Sequence, residues 1–238
     1  MQRRSIIAVT LVLAAIVITT LYVSQRLSVD PLPEGTPTPP PQGEAWANLL
    51  DEEHADAWKN ITDDLDIFEI EKGVLHIFGK TLHPLRYAGY TTEDFQDFDL
   101  HVEFKLAEGT NSGIFLRAQP AGSIHRGFEV QVLDDYGEPP HKNGSGAIYD
   151  VVTPMFNMSR PAGEWNSYDI SVKGQEVIVI MNGWMVIHTN LGKMTMHIGK
   201  YKAPFAELPL KGSLTLQDHG GEAWYRNIFI KKHTPSDS

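Results

Sequence analysis

Residues 101–106 read His-Val-Glu-Phe-Lys-Leu, a strict alternation of polar and apolar side chains that marks a strand with one buried face. Short runs rich in β-branched and aromatic residues recur at 74–78, 98–106, 113–118, 127–133, 165–172, 177–181, 184–189, 212–217 and 223–231, and each predicts a strand. Asn182-Gly183, between Val-Ile-Val-Ile-Met and Trp-Met-Val-Ile, predicts a type I′ hairpin, and Lys173-Gly-Gln175 predicts another connection one strand earlier. A short helix is expected only at 49–58. Nine or more short strands with hairpin turns and little helix imply an all-β fold, two antiparallel sheets packed as a jelly-roll sandwich. A closed barrel is the competing architecture.

Polar residues interrupt these strands at alternate positions. In Asn111-Ser-Gly-Ile-Phe-Leu-Arg117 and Gly127-Phe-Glu-Val-Gln-Val-Leu-Asp134, the alternation displays Arg117, Glu129 and Gln131 together on a sheet face. Near the C-terminus Leu214 and Leu216 face the core, so Thr215, Gln217 and His219 join the polar set. The longest irregular stretch, 134–161, follows directly from the polar strand and is expected to rim whatever that strand displays.

The 238 residues are 42% hydrophobic and 21% charged, enough for one substantial core. The N-terminus stands apart. Met1-Gln-Arg-Arg4 is basic, and 6–23 is an apolar run interrupted only by threonines, long enough to cross a bilayer as a helix. We read 1–4 as a cytoplasmic segment, 5–23 as a transmembrane signal anchor, 24–44 as a proline-rich linker that cannot pack, 45–233 as the folded domain and 234–238 as a tail. A cleaved signal peptide is the alternative, although the residues after the apolar run offer no small-x-small cleavage site. Either reading exports the domain, anchored at the cell membrane or secreted. Setting aside Arg3 and Arg4 leaves 18 basic against 30 acidic residues, which argues against nucleic acid as a partner. The chain has no cysteine, so disulfides, thiolate nucleophiles and cysteine-ligated zinc are excluded.

The runs 127–136, Gly146-Ala-Ile-Tyr-Asp150, Pro161-Ala-Gly-Glu-Trp-Asn166, Asn182-Gly183, Leu216-Gln-Asp-His-Gly220 and Tyr225-Arg-Asn-Ile228 occur in that order. Together with 92–100 and Asn111-Ser-Gly113, they resemble the 3-keto-disaccharide hydrolase domain family. Lys142-Asn-Gly-Ser145 departs from the family pattern in lacking an arginine ahead of Gly-Ala-Ile-Tyr. The resemblance implies a concanavalin A-like jelly roll whose concave sheet binds a sugar. It also implies action on 3-oxo glycosides supplied by a partner glycoside 3-dehydrogenase.

A ketone at C3 of a hexose acidifies the C2 proton, so a base can remove it and the C1 oxygen can leave by elimination; water then adds to the enone. Such a site needs a base, an electrophile for the enolate oxygen and an acid for the leaving group. Glu129 is the first candidate base, its alternative being a surface carboxylate paired with a lysine. His219 can serve as acid or base, or simply end a strand before Gly220-Gly221. Arg117 can supply the cation for the enolate or merely neutralise Glu129. Gln131, Asp134, Gln217, Asp218 and Arg226 are candidate substrate contacts. Tyr149 and Trp165 are candidate sugar-stacking rings, a core role being the alternative for Trp165. A divalent metal stays open: Asp134, Asp135, Asp218 and His219 could ligate one, but their spacing fits no EF-hand or zincin pattern.

No Gly-x-Ser-x-Gly, P-loop or dinucleotide fingerprint is present, nor the Glu-x-Asp-x-x-Glu strand of jelly-roll glucanases. The rival to an enzyme is a lectin-like binding module at the cell surface, followed by an envelope-structural domain with a degenerate site.

Overall fold

The computed structural model describes residues 33–80, 84–119, 126–199 and 203–233. In chain order the strands are β1 (Ala47–Asn48), β2 (Trp58–Asn60), β3 (Phe68–Glu71), β4 (Val74–Ile77), β5 (Arg86–Tyr90), β6 (Phe98–Leu106), β7 (Asn111–Ala118), β8 (Phe128–Leu133), β9 (Asn166–Lys173), β10 (Glu176–Met181), β11 (Trp184–Asn190), β12 (Ser213–Asp218) and β13 (Ala223–Lys232). A larger sheet runs β11-β10-β9-β6-β13-β4-β3 with β1 added on β13, and a smaller one runs β2-β5-β12-β7-β8. The pairings within both sheets are antiparallel. This is the expected jelly-roll-like sandwich. The helix expected at 49–58 is instead a series of turns ending in the short 3₁₀ turn Ala55–Ala57.

The alternation read along the chain sets the layers. Phe98, Leu100, Val102, Phe104 and Leu106 of β6 turn inward and meet Ile114, Leu116, Val130 and Val132 of the smaller sheet in one buried core. Asn182 and Gly183 both have positive φ, 49° and 83°, as a type I′ turn requires. Asn182 does more than turn the chain. Its buried amide donates to the Met158 carbonyl and to Asn166 Oδ1, and its own oxygen accepts from the Ser167 N–H.

The proline-rich stretch was expected not to pack, yet its second half belongs to the compact unit, which begins at Gly35. Thr36 N–H donates to the Asn182 carbonyl, Thr38 N–H donates to Ser167 Oγ, and the Thr38 hydroxyl donates to Asp169 Oδ2 at 2.5 Å. Prolines cannot donate to a sheet, but the threonines between them can, and they tie residues 36–38 to the larger sheet. The apolar run at 5–23 lies outside the described residues. Among the described residues, no helix is long and apolar enough to cross a membrane.

Beside this strap His101 is fully buried, with Nδ1 2.6 Å from Asp169 and Nε2 3.9 Å from Glu103. Burial alone would raise the Glu103 pKa, yet the nearby His101 imidazole and hydrogen bonds from Asn227 and Arg226 prevail and hold it at about 2. Burial likewise opposes the charged form of His101, and Asp169 and Glu103 outweigh it to raise the pKa above 6.5. The signs set a stability window. Glu103 contributes fully above its unfolded value near 4.5 and loses its contribution as pH falls toward 2. His101 contributes fully below 6.5 and loses its contribution as pH rises through its elevated folded value. The melting temperature should therefore peak between about pH 5 and 6.5. Glu103→Gln should flatten the acid limb, which carries about 3 kcal/mol by linkage. An acid limb equally steep in that variant would remove Glu103 as its cause.

Candidate active site

The outward face of the smaller sheet holds a small polar pocket of about 50 Å³, lined by Leu85, Asn111, Glu129, Gln131, Tyr149, Gln217 and His219. Strand register explains this set. Gly113 on β7 lies opposite Gln131 on β8, and one step past the Leu216–Ile114 pair Gln217 of β12 faces Gly113 from the other side. Glu129, opposite Phe115, belongs to the next row. Its carboxylate nevertheless lies over Gly113, because a β-carbon there would come within 2.0 Å of Glu129 Oε1. The missing side chain of Gly113 is thus the space the carboxylate occupies, and Glu129 is 4% exposed.

Gln131 donates its amide N–H to Asn111 Oδ1 at 3.0 Å. Its side-chain oxygen Oε1 is buried beside the pocket with no partner among the described residues. A buried acceptor left open at a polar pocket is suited to a ligand hydroxyl. Tyr149 arrives from the long loop, as expected of that segment. Gly146 N–H donates to the Gln131 carbonyl, Gln131 N–H to the Ala147 carbonyl, and Tyr149 N–H to the Glu129 carbonyl. The Gly-Ala-Ile-Tyr motif therefore lies along the free edge of β8 and delivers the tyrosine to the pocket rim. His219, half-buried just past β12, completes the wall.

Of the residues expected from the sequence, Glu129, Gln131, Tyr149, Gln217 and His219 are brought together. The others are not. Arg117 was expected to share the face of Glu129, but a β-bulge intervenes: Leu116 and Arg117 together oppose Leu214, and Arg117 has φ 53°. Its guanidinium turns to the Gln96 and Gly174 carbonyls and to Asp97, and burial lowers its pKa to about 10. Arg117 ties two loops together and does not line the pocket.

Asp134 accepts from the Gly109 N–H and closes the turn between β6 and β7. Asp218 accepts from the Lys80 and Gly220 N–H groups. With these carboxylates engaged by the backbone, the aspartates named as metal ligands do not converge. Among the described residues, no group of three or more His, Asp or Glu side chains is placed to hold a metal ion. Trp165 and Arg226 do meet, with the guanidinium carbon 3.9 Å from the ring centroid, but their strand partners belong to the larger sheet. Arg226 also pairs with Glu103 at 2.7 Å. Sequence reasoning gave no role to Asn111, although its alternation with Gly113 places both on the pocket face.

The family described as 3-keto-alpha-glucoside-1,2-lyase-like domain matches residues 45–231. A curated relative from Bacteroides thetaiotaomicron, named 3-keto-disaccharide hydrolase, is 30% identical over 170 residues, covering 58% of this chain and 59% of that protein. The match thus spans less than two thirds of the relative's length. The crystal structure of a candidate glycosyl hydrolase from Parabacteroides distasonis ATCC 8503 is 28% identical with a TM-score of 0.67, covering 79% of this chain and 99% of the other. A second such structure from the same organism is 27% identical with a TM-score of 0.62, covering 88% and 96%. The chain belongs to the family of 3-keto-α-glucoside-1,2-lyase-like domains.

Proposed function

We propose that this domain is an exported enzyme that cleaves the glycosidic bond of 3-oxo glucosides or disaccharides, with Glu129 as the base that removes the C2 proton. The observation that carries this reading is the placement of the Glu129 carboxylate over Gly113, in a pocket shared with His219 and the open side-chain oxygen Oε1 of Gln131. The proton passes from C2 to the carboxylate, and the electron pair moves toward the C3 oxygen. His219 donates to that oxygen in the role first expected of Arg117. Collapse of the enolate breaks the C1–O bond. Water then adds at C1, Glu129 returns the proton to C2, and the net change is hydrolysis. Such a substrate requires prior oxidation of a glycoside at C3, the reaction class of a glycoside 3-dehydrogenase.

A carbohydrate-binding module is the second reading, favoured by the amides of Asn111, Gln131 and Gln217 beside Tyr149. The two separate in one assay. The purified protein is incubated with 3-oxo glucosides and with their unoxidised parents, and aglycone release is followed with and without EDTA. Release from the oxidised forms alone is expected. Binding of both forms without release from either would establish the module and overturn the enzyme.

A further inference from the structure

We infer that Tyr87 is the proton donor to the departing aglycone oxygen, an inference that rests on the reading of Glu129 as the base. Elimination makes two demands beyond proton abstraction. Charge must be stabilised at the C3 oxygen, and the C1 oxygen must be protonated as its bond to C1 breaks. His219 answers the first demand. Arg117 cannot answer the second, because it is bound to Gln96, Asp97 and Gly174, and the Tyr149 ring on the pocket rim is the one expected to stack on the sugar.

Tyr87 extends the row on which Glu129 rests. It lies directly opposite Gln217 across the β5–β12 pair, and Gln217 in turn faces Gly113. Reading across the sheet, the row is Tyr87, Gln217, Gly113 with the Glu129 carboxylate above it, and Gln131. Adjacent strands are about 4.8 Å apart, so Tyr87 stands about 10 Å from Gly113 across the sheet, next to Gln217, which lines the pocket. Its hydroxyl lies beside the Gln217 side chain and within the field of Glu129.

The ring is held rigidly. It packs edge-to-face on Phe115 at 5.3 Å, in a small apolar cluster with Ala118, Ile61 and Leu85. Leu85 also lines the pocket, so this cluster and the polar site share a wall. Burial pushes the phenol up, with the neighbouring carboxylate acting in the same direction. The hydroxyl consequently keeps its proton through the neutral range, as a donor to an alkoxide must. In the balanced step the C1–O bond breaks as the Tyr87 O–H proton moves to the aglycone oxygen, leaving a phenolate. The water that later adds at C1 returns a proton to that phenolate.

The test compares Tyr87→Phe with the parent on two 3-oxo glucosides, one with a glucosyl aglycone and one with a 4-nitrophenyl aglycone. A sugar alkoxide needs protonation to leave, whereas nitrophenolate needs little. The variant should lose about 100-fold in kcat/KM on the glucosyl substrate and far less on the nitrophenyl one, shifting their ratio by at least ~30-fold. Equal losses on both, or no loss on either, would overturn the assignment. A parent enzyme inert toward both substrates would instead overturn the 3-oxo glycoside reading itself, and the assignment with it. Because the ring and its packing are retained, the melting temperature of the variant reports separately on folding.

Discussion

Glu129→Gln is expected to lower kcat on a 3-oxo glucoside by about 10³-fold while leaving the melting temperature within a few degrees. Glutamine has the shape of glutamate and fits the space above Gly113, but its amide cannot accept the C2 proton. The side chain is 4% exposed, and glutamine fills the same volume, so the exchange leaves no cavity. Proton transfer develops only in the transition state, so kcat and kcat/KM should fall together with KM little altered. Steady-state release of the aglycone reads both constants. A variant retaining more than about a tenth of parental kcat would place the base elsewhere, with His219 the first residue to examine.

Period-two alternation carried most of the architecture because a regular pleat leaves little choice. Once the apolar positions of β6, β8 and β12 are committed to a core, Glu129, Gln131, Gln217 and His219 must leave by the other face. The same counting failed at Arg117, one residue beyond the last regular pair. A bulge inserts an extra residue, φ becomes positive, and the side chain leaves the face that simple parity assigns. Nothing in Leu-Arg-Ala announces that bulge.

Strand β5 was missed for another reason. The Ala-Gly centre of Arg86-Tyr-Ala-Gly-Tyr90 weakens its strand signal, and β2 and β12 pair with the segment on both sides. Gly89 gives way there to Ile61, whose side chain approaches to 2.9 Å from where a β-carbon would stand. Tyr87 was hidden along with the strand. Trp165 and Arg226 expose a further limit. Alternation says which side of its own sheet a residue takes, but sheet membership depends on strand order. The order β9-β6-β13 brings this pair together on the larger sheet, outside the pocket.

Gly113→Ala should separate folding from catalysis more sharply than any change at a charged residue. The added methyl would stand 2.0 Å from Glu129 Oε1 and 2.9 Å from its carboxyl carbon, far inside contact distance. Gly113 is not among the residues with positive φ, so alanine suits the backbone and gains a little strand preference. The nearest atoms it meets belong to the end of a flexible side chain, and the cheapest relief is rotation of Glu129 away from the sheet. Stability is expected to change by no more than about 1 kcal/mol. The base, however, would be displaced by an ångström or more, enough to cost about 10²-fold in turnover. Paired measurements of melting temperature and kcat decide the matter. A folded Gly113→Ala protein with parental activity would mean that the position of the Glu129 carboxylate is irrelevant to the chemistry. Loss of folding would mean that Gly113 serves the sheet and not the side chain resting on it. The expected result, a folded and nearly inactive protein, would assign Gly113 the task of leaving room for the base.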